Sequence, residues 1–192
     1  MIAQMWDSDV RSALHSRLRQ THKRELESTR FVDELAIAGE VRIDTAVLNG
    51  AFAGYEIKSA RDNLLRLPRQ AEIYSKVLDY ATLVVADRHA NHAVEIVPSW
   101  WGVIVASGPA PSVKLTRIRQ ARKNSQVDPW YLCTLLWREE ALKILTETGN
   151  DAGVRSKSAP LIWDRLISVT DVVDLRRIVR ETLKSRPRWR AE

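Results

Sequence analysis

An α/β fold with a mixed sheet flanked by helices, followed by a mainly helical C-terminal part, is the class this sequence predicts. Three observations lead there. Short β-branched and aromatic runs (RFVDELAI, VRIDTAVLN, AGYEIKSA) follow a segment of helical periodicity. Two continuous apolar runs, ATLVVADR and WWGVIVA, have the look of strands buried on both faces. Helical patterns then dominate after Gly108. Helix, strands, helix, strand, helix, strand is the order of layers around one central sheet.

Each element has its own justification. WDSDVRSALHSRLRQTHK places Val10, Ala13, Leu14 and Leu18 on one helical face, with Asp7 or Ser8 as the expected cap. Gly39 separates the first two strands, and Asn49-Gly50 between the second and third signals an antiparallel hairpin. Residues 62–79 carry Leu64, Leu67, Ala71, Tyr74 and Leu78 at helical spacing, with Pro68 demanding a kink or a late start. A short helix from His89 to Ile96 joins the two apolar strands. KLTRIRQAR reads as an exposed basic strand. PWYLCTLLWREEALKILTETG, SAPLIWDRLIS and TDVVDLRRIVRETLKSR read as three helices, the last capped by Thr170 or Asp171, before a basic tail, SRPRWRAE.

The expected organisation is a core over residues 1–108 and a basic, mainly helical extension over 109–192, packed on the core. Charge marks the same division. The first part holds 13 basic and 14 acidic residues, the second 17 and 10, so the chain's net charge of +6 resides in the C-terminal part. Such asymmetry is the footprint of a polyanion-binding protein or of a solvated basic helix face. The first residues, MIAQMWDSDVR, have no apolar core of a secretory leader. No apolar run approaches the roughly 18 residues of a membrane span, and the single Cys133 fits a reducing compartment. A cytoplasmic protein without a membrane partner is expected.

The chemistry-bearing stretch is GYEIKSARD. Glu56 and Lys58 are two apart on a strand, hence on one face. The apolar flanks predict a central strand, where unpaired charge is expensive. Asp44 lies on the neighbouring strand across the hairpin, and Glu34 on the strand before. Paired strands sit about 4.8 Å apart, so Asp44 and Glu56 can converge on one cation. Two carboxylates with water and phosphate oxygens are a usual open site for Mg²⁺. His89 and His92 are three apart on a short helix but read more simply as surface or packing residues. Cys133, between Leu132 and Leu135, reads as core. There is no glycine-rich phosphate cradle.

The arrangement IDTAVLNGAFAGYEIK resembles the PD-(D/E)xK nuclease superfamily, over about residues 20–107. The resemblance implies a restriction-endonuclease-like αβββαβ core and Mg²⁺-dependent phosphodiester hydrolysis, with Mn²⁺ as a substitute. It implies Asp44, Glu56 and Lys58 as the motif residues, and Glu34 as an additional carboxylate, so that Glu34, Asp44 and Glu56 bind metal. Gln70 falls where several branches place a site glutamine, and Tyr74 lies one turn beyond. Ile43 stands where the motif's proline would be. Within the span, GYEIKSARDNLLRLPRQAEIYSKVLDYATLVVADRH resembles a small branch of bacterial and phage proteins. The implied substrate is DNA, with a homodimer or a protein partner from the same defence, repair or mobile-element system as further expectations. Candidate phosphate contacts are Arg61 and Arg69 near the site and Lys114, Arg117, Arg119, Arg122 and Lys123 in the basic stretch. Arg66, beside them, is a further basic neighbour of the site, whereas Arg176, Arg177 and Arg180 fit a solvated face of the last helix equally well. The contrasting reading is a non-catalytic nucleic-acid-binding or assembly subunit on the same fold.

Overall fold

The structure, a computed structural model, describes residues 5–110 and 112–187; most of the basic tail lies outside them. The chain begins with helix α1, Asp7–Thr21, which buries Val10, Leu14 and Leu18 at the expected spacing. Its first turn differs from expectation at the cap. The residue before the helix is Trp6, and its N–H donates to the Asp9 carboxylate at 2.8 Å. That reciprocal bond satisfies a terminal donor without a capping hydroxyl.

Strands β1 (Arg30–Ile37), β2 (Val41–Leu48) and β3 (Phe52–Lys58) follow as an antiparallel meander, turning at Gly39 and at Asn49–Gly50. Helix α2 is shorter than the periodicity suggests: it spans Leu67–Tyr74, starting one residue before Pro68. Proline is tolerated in a first turn, where its missing N–H has no partner to lose. Strand β4 (Tyr80–Ala86) pairs parallel with β3. After a 3₁₀ turn and helix α3 (Ala90–Ile96), β5 (Gly102–Ser107) pairs parallel with β4. Strand β6 (Lys114–Arg119) closes the sheet antiparallel to β5. The strand order is β1-β2-β3-β4-β5-β6, so β3 is an interior strand and the sheet is mixed.

Helix α1 covers one face, where Val10, Leu14 and Leu18 meet Val47, Ile57, Val84 and Ile104. The other face carries α2, α3 and the C-terminal helices α4 (Pro129–Cys133), α5 (Arg138–Glu147), α6 (Ala159–Val169) and α7 (Val172–Ser185). One apolar cluster runs from Ile43 and Trp101 to Leu166 and Leu183, so the helical region shares its core with the sheet. Residues 114–119 are themselves a sheet strand, placed beyond position 108.

The helix expected through PWYLCTLLWREEALKILTETG is two helices. The N–H of Trp137 turns to Glu140 at 2.8 Å, and the Leu135 carbonyl released by the break accepts from Arg186 at 3.0 Å. Leu132, Leu135 and Leu136 are all buried, so apolar spacing runs on across the interruption. Asp171 caps α7, accepting from the N–H groups of Val173 and Asp174 at 2.9 Å each. No helix among the described residues is long and apolar enough to cross a membrane.

Candidate active site

Strand β3 presents Glu56 and Lys58 toward α2, and both are almost wholly buried, at 1% and 4% exposure. They form an ion pair with each other. A charge in such surroundings persists when its remaining hydrogen-bonding capacity is met, and α2 meets it. Gln70 and Tyr74, four apart and so one above the other on the helix, both face β3. The Lys58 ammonium donates to Gln70 Oε1 at 2.9 Å, and the Tyr74 hydroxyl donates to Glu56 Oε2 at 2.7 Å. Burial, then the Glu56 charge, raises the Tyr74 pKa well above the usual phenol range, so this hydroxyl keeps its proton.

Asp44 reaches the same place by a different route. The β2–β3 ladder ends at Thr45–Tyr55, one step before Asp44 would face Glu56. There the Asp44 carboxylate takes over, accepting from the Ile57 N–H at 2.7 Å. Burial, then the charge of Glu56, pushes Asp44 up to about 7, with the Ile57 N–H, Arg11 and Lys58 pulling the other way. The pairing of two carboxylates in a poorly solvated place is the physical cause.

The strands carrying Glu34 and Asp44 lose their two-residue alternation at this level. Val32 and Leu35 on β1, three apart, face the same core cluster, and so do Ile43 and Ala46 on β2. Glu34 adopts a left-handed φ of +55°, which is costly for a residue with a side chain. Its carboxylate turns to Arg11 at 3.0 Å and Arg42 at 2.7 Å. Arg11 also contacts the Asp44 carboxylate at 3.3 Å and donates to the Asp44 carbonyl at 2.7 Å.

Glu34, Asp44, Glu56, Lys58 and Gln70 therefore line one cavity of about 470 Å³, with Asp62, Arg66 and Arg69 at its rim. The three expected metal ligands do not act as a set. Among the described residues no group of three His, Cys, Asp or Glu side chains could hold a metal, and Glu34 is paired with Arg11 and Arg42. The sequence does not anticipate Arg11 and Arg42: Arg11 reaches Asp44 from α1, with no local spacing to announce it, and Arg42 meets Glu34 across the β1–β2 hairpin. His89 and His92 join no such group, and Cys133 is buried and pushed up to about 12 by that burial.

The basic candidates divide. Arg69 lies at the rim, paired with Glu40 and Glu72. Arg61 stacks over Trp6 at 4.0 Å. Lys114, Arg117 and Arg119 lie on β6, three strands away from β3. Arg119 donates to the carbonyls of Trp101 at 2.7 Å and Pro98 at 3.2 Å, and Arg122 to Ser99 at 3.3 Å. These two arginines fasten β6 and the segment after it to the loop before β5. Lys123 is exposed beside them.

A mixed α/β protein with a satisfied cluster of charges on an interior strand is the class so defined. The chain belongs to the bacteriophage P4 protein cII family, whose profile matches residues 4–190. It is 27% identical to Protein cII of Enterobacteria phage P4 over 125 residues, covering 65% of this chain and 47% of that protein. The chain thus spans about half the length of this curated relative. Among solved structures, a protein of unknown function from Silicibacter pomeroyi aligns with a TM-score of 0.41 at 17% identity, over 73% of this chain and 94% of that one. SfsA from Pyrococcus furiosus, solved in complex with Ca²⁺, aligns with a TM-score of 0.36 at 13% identity, over 59% and 63%.

Proposed function

We propose that this member of a phage protein family is a metal-dependent nuclease of the PD-(D/E)xK kind, cutting DNA at the Asp44–Glu56–Lys58 cavity. One observation carries the reading. Glu56 and Lys58 are held in the interior of a sheet by a helix whose Gln70 and Tyr74 satisfy them, an arrangement that stability alone does not require.

The donor set fits a divalent cation bound by two carboxylates and completed by water. Asp44 and Glu56 are close enough for one charge to raise the pKa of the other, a repulsion that a cation would relieve. Mg²⁺ or Mn²⁺ bound there supplies Lewis-acid polarisation of the phosphodiester and a more acidic attacking water. The protein's own groups do the rest. Lys58 has three donors, two directed to Glu56 and Gln70, and the third is available to a phosphate oxygen that gains charge. Gln70, accepting from Lys58, positions its ammonium. Arg66 and Arg69 at the rim suit the flanking phosphates.

The test is incubation of plasmid, linear and branched DNA with the protein and Mg²⁺, beside Asp44→Ala and Lys58→Ala. Cleavage by the wild type and a loss of roughly 100-fold or more in each folded variant is expected. Equal cleavage by all three would sink the assignment. The commitment of Glu34 to two arginines favours a second reading, a DNA-binding subunit without catalysis. Binding with no cleavage at any divalent ion would select it.

A further inference from the structure

A second cavity, of about 590 Å³, opens on the opposite face of the sheet, between α1, the β2–β3 turn and β6. Its floor is apolar, formed by Val47, Ala53 and Ile104, and two phenol rings, Tyr55 and Tyr80, stand at its edge. Its walls are cationic: Arg17 enters from α1, and Arg117 and Arg119 from β6. Arg119 is committed to two carbonyls, as described above. Arg17 gives one N–H to the Leu115 carbonyl at 2.9 Å. Neither Arg17 nor Arg117 has a carboxylate partner among the described residues. Both line the cavity with Tyr55, whose pKa burial raises and the two guanidinium charges lower. The one carboxylate lining the cavity, Glu25, is engaged by the Asn49 amide at 2.7 Å.

Two guanidiniums without counter-charge, converging beside aromatic rings in a concave apolar site, ask for an anion attached to a planar group. The guanidinium fork matches phosphate oxygens, and tyrosine faces accept a base by stacking. The volume falls in the range of about 300–1,000 Å³ typical of small-molecule sites. The site is also divided from Glu56 by the sheet itself: Tyr55 and Glu56 are consecutive residues pointing to opposite faces.

We propose that this cavity binds a nucleoside monophosphate, its phosphate on Arg17 and Arg117 and its base against Tyr55 and Tyr80. The same chemistry is offered by a free nucleotide and by the 5′-phosphorylated end of a strand. Isothermal titration of the full chain in EDTA, where no cleavage interferes, tests it. The probes are deoxyadenosine monophosphate, deoxyadenosine, inorganic phosphate, and an octanucleotide with a 5′-phosphate or a 5′-hydroxyl.

Saturable binding of one deoxyadenosine monophosphate per chain is expected, with deoxyadenosine and inorganic phosphate each about tenfold weaker or worse. Arg117→Gln, at an exposed edge position, should fold normally and weaken the nucleotide by about tenfold. Arg17→Gln should do the same. A 5′-phosphorylated octanucleotide displaced by the mononucleotide identifies the strand end as a source; no octanucleotide binding identifies the free nucleotide. Absence of saturable binding, inorganic phosphate binding as tightly as the nucleotide, or indifference to both substitutions overturns the proposal. So does equal binding of the two octanucleotides, because affinity would then follow polymer charge alone.

Discussion

Asp44 holds its proton more tightly in the folded chain than in the unfolded one, with a pKa moved from 3.8 to about 7 by burial and by Glu56. The stability this contributes is complete below the unfolded value and is lost as pH rises through about 7. In EDTA, melting temperatures measured between about pH 5 and pH 8 should fall for the wild type relative to Asp44→Asn. A difference independent of pH would contradict the assignment. Glu34 offers a second residue-scale test. Its left-handed φ should make Glu34→Gly about 1 kcal/mol more stable than Glu34→Ala in denaturant titrations. Glu56 and Lys58 were legible in the sequence because the strand period puts residues two apart on one face, whereas Gln70 came from the family resemblance and not from any spacing. Arg11 was not legible: it meets Asp44 across 33 positions of chain, a distance over which no spacing rule operates.

At the scale of elements, strands were easier to read than helix ends. The β2–β3 hairpin follows from Asn49-Gly50, and the two parallel strands from their unbroken apolar runs. The break between α4 and α5 left no mark in the pattern, because both sides of it are buried and its bonds come from Arg186, far along the chain. Asn124 is a comparable case. Buried between elements, it donates to the carbonyls of Ser75 at 2.6 Å and Leu78 at 3.0 Å, and its own carbonyl accepts from Arg176 at 2.9 Å. It therefore ties the segment after β6 to the end of α2 and to α7. Asn124→Ala, which strips the buried Leu78 carbonyl and the half-buried Ser75 carbonyl of a donor, should cost about 2 kcal/mol in chemical denaturation. A change within about 0.5 kcal/mol would show that water takes its place.

For the whole molecule, the shared core means that the sheet and the C-terminal helices should stand or fall together. A chain ending at residue 120 keeps all six strands but loses Leu136, Leu166, Leu175 and Leu183 from the cluster that covers Trp101 and Ile43. It should lack a cooperative thermal transition and bind a hydrophobic dye such as ANS. A sharp melt in that fragment would mean that the sheet is an independent unit. The strand order bears on how copies of this protein meet one another. Laid out β1 to β6 in sequence, the sheet has two edges, and an open edge invites another chain to add a strand. Edge β1 borders the cleft lined by Trp130, Trp137 and Trp163, which sheltering helices partly fill. Edge β6 faces outward and carries Lys114 and Arg117, both exposed. Two such edges approaching each other repel at a range set by the ionic strength, about 10 Å at 0.1 M salt. The basic strand thus guards solubility, and light scattering should register growing self-association as salt is raised toward 1 M, or at low salt once Lys114 and Arg117 are neutralised.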